Sequence, residues 1–163
     1  PLRFDHFRVR EDSGGAGWHR GGCGTEYGFT VWSDTTVSVL GDRAEHAPFG
    51  ICGGQSAKAN EVSFVTSGKA WRPEWHSKQD KQLLASGDAL RAASPGGGGY
   101  GNPLTRDLAA VERDLNRGYI SRQVAETVYG VVIAKETPIV PGQSQFALDE
   151  SASVQRRRAL GAA

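Results

Sequence analysis

Residues 2–10 (Leu-Arg-Phe-Asp-His-Phe-Arg-Val-Arg) are rich in strand formers, yet Phe4 and Phe7 fall on opposite phases of a period-two pattern. That pattern predicts a strand covered on both faces. Residues 25–33 and 35–40, with Thr, Val, Trp and Tyr, predict two further strands that meet at Ser33-Asp34. Residues 61–66 predict a short strand. From Lys81 to Ala85 the residues favour a helix. Ser86-Gly87-Asp88 then interrupts with turn chemistry, so 81–93 reads as two strands around a turn.

A helical period emerges only beyond Pro103. Asp107 is the expected N-cap of a helix over 108–117, with Gly118 just past its end. Leu108, Val111 and Leu115 share one face of it. Ser121 is the expected cap of 122–129, stopped by Gly130, with Val124 and Val128 on one face. Residues 131–134 form a short strand-like run, 135–146 read as an extended polar linker, and Asp149 caps a terminal helix over 150–160 that ends at Gly161. The expected fold is mainly β, with glycine-rich extended or polyproline-like segments and a C-terminal α-helical hairpin, an α+β class. The expected division is a module over 1–134, comprising a β-rich region over 1–94, a glycine-rich block 95–103 and a helical hairpin 107–130, and then a linker and terminal helix over 135–163.

Composition adds one anomaly. The chain carries 22 glycines in 163 residues, about twice the usual ~7%. They cluster in 12–24, 47–57 and 95–103, which implies tight turns or close backbone approach, with extended or polyproline-like backbone over 47–57. The length suits one domain. Nineteen basic residues against eighteen acidic ones give a net charge of +1, which argues against a nucleic-acid-binding face. Arg156-Arg157-Arg158 reads as a solvated helix end. No apolar run approaches the ~20 residues of a membrane span, and no signal peptide is visible. Two cysteines are too few for a disulfide framework, so a reducing, cytoplasmic setting is expected. Pro1, in a chain without methionine, fits a processed start or a fragment boundary.

Gly96, Gly98 and Gly101 formally spell G-x-G-x-x-G, but Pro103 blocks the helix that should open there, and no βαβ pattern surrounds it. No Gly-Lys-Ser/Thr triplet occurs, so direct ATP chemistry by this chain is not expected. His19-x-x-x-Cys23 and His46-x(5)-Cys52 offer the two ligand pairs that a tetrahedral zinc site needs. The competing reading is of buried free cysteines. A Cys–His nucleophile lacks any protease signature, and no G-x-S-x-G elbow exists. Asp12-Ser13-Gly14 reads as a side-chain-stabilised turn. Trp71 and Trp75, flanking Arg72-Pro73-Glu74, read either as a local core or as a contact for a partner.

Asp12-Ser13-Gly14-Gly15-Ala16-Gly17 followed by Arg20-Gly21-Gly22-x-Gly24 resembles the D-S-G-G-x-G-x-x-R-G-G-x-G stretch of the hydantoinase B/oxoprolinase family. Asp42-Arg43 with Pro48, Gly50, Gly53 and Gly54 resembles its D-R…P-x-G-x-x-G-G segment. Gly87-Asp88 and the run from Pro95 through Gly96, Gly97, Gly98, Gly99, Tyr100 and Gly101 to Pro103 resembles its G-D…P-G-G-G-G-Y-G-D/N-P block. Arg106-Asp107, Val111, Asp114, Gly118, Ser121, Ala125 and Tyr129-Gly130 continue the likeness, which covers about 2–134 and matches the C-terminal portion of a much longer subunit. His19, Cys23, Cys52 and the Trp71–Trp75 stretch have no counterpart in those motifs.

The resemblance implies a hydantoinase A-like partner that binds ATP with Mg²⁺ or Mn²⁺ in an actin-like fold, and a long hydantoinase B-like partner, with no nucleic acid or membrane. Such pairs hydrolyse hydantoins or 5-oxoproline, or carboxylate ketones, activating the ketone as an enol phosphate and bicarbonate as carboxyphosphate. The expectation is therefore a small subunit of an acetophenone carboxylase-type ligase, inactive alone, that completes the B-type module of a hetero-oligomer. The alternatives are a component of a cyclic amide hydrolase, or a non-catalytic zinc-binding assembly module. The glycine-rich candidates (Asp12, Ser13, Gly14, Gly15, Arg20, Gly21, Gly22 and 96–101) are expected to pack against neighbouring subunits, to present N–H groups to anions, or to serve an order-making structural role.

Overall fold

A computed structural model describes residues 1–161. Strands β1 (Leu2–Val9), β2 (Thr25–Val31), β4 (Glu61–Thr66), β5 (Lys69–Trp71) and β7 (Ala89–Ala93) form one antiparallel sheet in the order β1-β2-β7-β4-β5. Strands β3 (Thr35–Leu40) and β6 (Lys78–Leu84) make a separate two-stranded ribbon. Side chains alternate across a strand, so Val31 of β2, Leu90 and Ala92 of β7, and Val62 and Phe64 of β4 share one face; Leu84, Val37 and Val39 of the ribbon pack onto it. Phe29 and Phe64 both pair with Leu90 across the ladders. Burying such a side chain contributes about 1.5–3 kcal/mol. Trp71 belongs to this core, stacked on Phe64 at 4.8 Å with its indole N–H donating to Thr66 Oγ1 at 3.0 Å.

The second core is helical. Helices α1 (Leu108–Asn116) and α2 (Arg122–Thr127) bring Val111, Leu115, Ala125 and the following Tyr129 and Val131 together with Ala16 and Ile120. The expected caps form: Asp107 accepts from the Ala110 N–H at 3.1 Å and Ser121 from the Val124 N–H at 3.2 Å. Gly118 and Gly130 adopt the left-handed φ values of +67° and +65° that end these helices. Asp149 caps α3 (Glu150–Ala159), accepting from the Ala152 N–H at 2.9 Å.

Several expectations are corrected. The two strands expected around the turn at 86–88 form, but they do not pair with each other: β6 pairs with β3, whereas β7 pairs with β2 and β4. Asp88 pins this crossover by accepting from the Ser67 and Ala85 N–H groups, both at 2.9 Å. Strand β1 is an exposed edge and not a strand covered on both faces; a bulge between Phe4 and His6 reconciles the two phases and puts Phe4 and Phe7 on the side of their partners Phe29 and Tyr27. The supposed linker 135–146 is a hairpin of β8 (Ile133–Val140) and β9 (Gln143–Leu148), whose Phe146 and Leu148 pack on the helical core. Arg157 is not solvated: it is 8% exposed and donates to the Tyr129 and Arg106 carbonyls at 2.8 and 2.6 Å. The end of the expected 135–163 segment, residues 162–163, lies outside the described residues. Among the described residues no helix is long and apolar enough to cross a membrane.

Candidate functional site: a glycine block that carries an aromatic shelf

The site starts where β1 ends. Asp12 takes a φ of +57°, which turns the chain out of the sheet. Its N–H donates to the Tyr119 carbonyl at 3.1 Å and its carboxylate accepts from the Ser121 N–H at 2.7 Å. Ser13, fully buried, donates to the Arg10 carbonyl at 2.5 Å and accepts from the Gly24 N–H at 2.8 Å. Both residues are locks between loop, sheet and helices.

Beyond them the three glycine-rich segments weave together backbone to backbone. The Gly15 N–H donates to Gly97 at 2.8 Å, Gly97 to Gly22 at 2.9 Å, Gly99 to Gln55 at 2.9 Å and Gln55 to Ala16 at 2.7 Å. A Cβ on Gly21 would lie 1.9 Å from the Gly97 carbonyl oxygen, and one on Gly98 would lie 1.9 Å from that of Phe49. No side chain fits such a contact, which is why the segments lack them. The clusters pack against one another within the chain. The N–H groups of Gly15, Gly21, Gly54, Gly97, Gly99 and Gly101 are bound to carbonyls, so they do not form an anion cradle.

Beneath the block lies a buried charge cluster. Arg20 Nε and Arg106 Nη2 both bond Asp114 Oδ2, at 3.0 and 2.8 Å, with side chains 12%, 12% and 6% exposed. Arg106 also donates to the Trp18 carbonyl at 2.8 Å, and the Arg20 guanidinium lies 5.2 Å from the Tyr119 ring. Burial pushes the Tyr129 hydroxyl above its ordinary pKa of 10.0, and its oxygen is buried without a hydrogen-bond partner, as is Arg106 Nε. The sequence placed Arg106, Asp114 and Tyr129 in the family likeness but not among the site candidates, because no spacing along the chain marks a contact across 94 positions.

Above the block, segments around His19, Tyr100 and Ile51 run side by side. His19 and Tyr100 exchange backbone hydrogen bonds at 2.9 Å in both directions, and Ile51 bridges to Tyr100. The Trp18 and His19 rings are 4.4 Å apart and those of His19 and Tyr100 6.1 Å. With Phe49 and Ile51, both more than half exposed, they form an aromatic and aliphatic shelf on a rigid floor.

The proposed zinc ligands do not meet. His19 stands in the shelf, and Cys23 donates to the Tyr119 carbonyl at 3.5 Å while receiving Arg20 at 3.2 Å. His46 lines a cavity of about 530 Å³ with Trp75 and His76; Cys52 is exposed at a φ of +52° and Cys23 only half-buried, so neither is the buried cysteine expected. Among the described residues no three His, Cys, Asp or Glu side chains are grouped to hold a metal ion, so the zinc module loses its ligand set. Trp71 is core, whereas Trp75 is 73% exposed and remains a contact candidate. Gly101 of the formal G-x-G-x-x-G gives its N–H to the Ile51 carbonyl, and a short 3₁₀ turn over Pro103–Thr105 follows it in place of a helix.

The family model for hydantoinase B/oxoprolinase matches residues 1–103. The chain is 30% identical to the acetone carboxylase alpha subunit of Xanthobacter autotrophicus, over 96% of this chain and 24% of that protein. It is 33% identical to the caprolactamase subunit beta of Pseudomonas jessenii, over 98% and 26%. The nucleotide-free structure of acetone carboxylase superposes with a TM-score of 0.78 at 25% identity, covering 98% of this chain and 25% of that one. The chain thus spans about a quarter of the length of the curated relatives it matches. With its glycine block, ordered motifs and fold in agreement, the chain belongs to the hydantoinase B/oxoprolinase family.

Proposed function

We propose that this chain is the glycine-block quarter of a hydantoinase B-type module in an ATP-dependent ketone carboxylase of the acetophenone type. The carrying observation is that nearly the whole chain superposes on acetone carboxylase while covering a quarter of it. A rigid floor that holds Trp18, His19 and Tyr100 outward suits a wall of a chamber or a face against a larger body. In this reading ATP and its Mg²⁺ or Mn²⁺ belong to hydantoinase A-like partners, and a long B-like chain supplies the rest of the module.

The similarity to caprolactamase favours a second reading, an ATP-dependent cyclic amide hydrolase. Co-expression with the A-like and long B-like chains of the same organism separates the two. The first reading expects ATP-dependent incorporation of labelled bicarbonate into acetophenone, abolished when this chain is omitted. ATP-driven ring opening of a lactam or hydantoin without bicarbonate supports the second. A complex that forms and turns over equally well without this chain overturns both.

A further inference from the structure

Strand β1 is an eight-residue edge left open on two counts. Its backbone pairs only with β2. At the ends, Trp32 donates to the Pro1 carbonyl at 2.7 Å and Arg10 to the Gly24 carbonyl at 2.9 Å, so Pro1 and Arg10 face inward. Inward and outward residues alternate along an antiparallel ladder. Counting from Arg10, Arg8 and His6 face β2, whereas Val9 and Phe7 turn their N–H and C=O groups outward. Counting from Pro1, Arg3 faces inward and Leu2 outward; the bulge between Phe4 and His6 absorbs the change of phase.

The second opening is lateral. Leu2, Phe4, Phe7 and Val9 lie over partners on the core face of the sheet, but the β3–β6 ribbon stops short of them. They are 41%, 60%, 69% and 46% exposed. The aromatic ladder runs on from the covered core, with Phe4 at 6.0 Å from Phe29 and Phe7 at 6.3 Å from Tyr27. No proline lies within the strand, and the devices that blunt it are the bulge and the charges of Arg3 and Arg8, which leave the apolar face of Phe4 and Phe7 open.

We propose that β1 is the docking edge for one further strand, contributed by the part of a B-type polypeptide outside the quarter that this sequence matches. This rests on the reading above, because its relatives carry that remaining length. The strand would have apolar residues over Phe4 and Phe7 and acidic residues on the opposite face. There Arg3 bonds Asp5 of its own strand and Arg8 bonds Glu26 of β2, and the two arginines stay 60% and 69% exposed. A second copy is disfavoured: two-fold pairing about the strand centre sets Arg3 of one copy opposite Arg8 of the other, and opposed like charges destabilise a ladder.

Amide hydrogen exchange by NMR on the 163-residue chain tests this with three probes. They are a short capped peptide alternating Val and Glu, a scramble with the valines adjacent, and a counterpart with Lys for Glu. The alternating Glu peptide is expected to slow the Leu2, Phe7 and Val9 amides by about tenfold or more, leave Arg8 unchanged, and outbind the Lys peptide several-fold. Phe7→Pro, which removes an outward N–H together with the ring over Tyr27, should abolish the effect without unfolding β1, whereas Phe7→Ala, which keeps the N–H, should weaken it only in part. Equal protection by the scramble, no protection, or protection that rises with chain concentration alone overturns the proposal, the last in favour of self-pairing. None of these outcomes bears on whether the complex turns over ATP.

Discussion

Arg20 and Arg106, 86 positions apart by their numbers, share a single oxygen of Asp114 at 3.0 and 2.8 Å in the interior. Two cations on one buried carboxylate tie the first glycine loop to the start of α1. Removing the carboxylate leaves two guanidinium groups without a counter-charge in a poorly solvated place. Asp114→Ala should therefore cost about 3–5 kcal/mol, read as a lowered midpoint in urea denaturation. An unchanged midpoint would show that the cluster contributes nothing net.

Adjacent glycines of one motif should respond in opposite ways. Gly21→Ala drives a methyl to 1.9 Å from the Gly97 carbonyl oxygen, whereas a Cβ on Gly22 meets nothing within 4 Å. The first substitution should cost several kcal/mol, about the range of overpacking or more. The second should stay within about 0.5 kcal/mol. Thermal melts of the two variants side by side check the difference.

Asn116 ties β9 to α1 at both of the Phe146 backbone groups. Asn116 accepts from the Phe146 N–H at 2.7 Å and donates to the Phe146 carbonyl at 3.0 Å. Asn116→Ala should cost about 1–2 kcal/mol and speed exchange of the Phe146 amide, with the β2 and β7 amides unaffected.

Asp5 supplies a pH test. The Thr30 hydroxyl first, and Arg3 second, hold its carboxyl below the ordinary 3.8. A depressed folded-state value means that its contribution is fully present above the ordinary value and is lost as pH falls through the folded one. Thr30→Val should move the Asp5 titration, followed by its side-chain carboxyl carbon in NMR, back up towards the ordinary value.

Helix caps and strand residues were legible because they act locally. Asp107, Ser121 and Asp149 each bond an N–H three residues on, and the run 61–66 carries its own β preference. The hairpin over 135–146 was not legible, since its polar exposed positions hide the role of Phe146 and Leu148, which pack on helices formed earlier in the chain. The site was half legible. Spacing located the glycines, but whether a bare backbone faces a partner, an anion or another glycine is decided by which segments meet.

By itself the sequence determined the family, the β-rich character, the caps and the need for close backbone approach, because each is written in residue types at short spacing. Only the tertiary structure decided that the three glycine segments fill one another, that Arg20 and Arg106 converge on Asp114, that His19, Cys23, His46 and Cys52 stay apart, and that β1 is an open edge. Those outcomes depend on contacts between segments far apart along the chain, and local propensity carries no information about which distant backbone arrives.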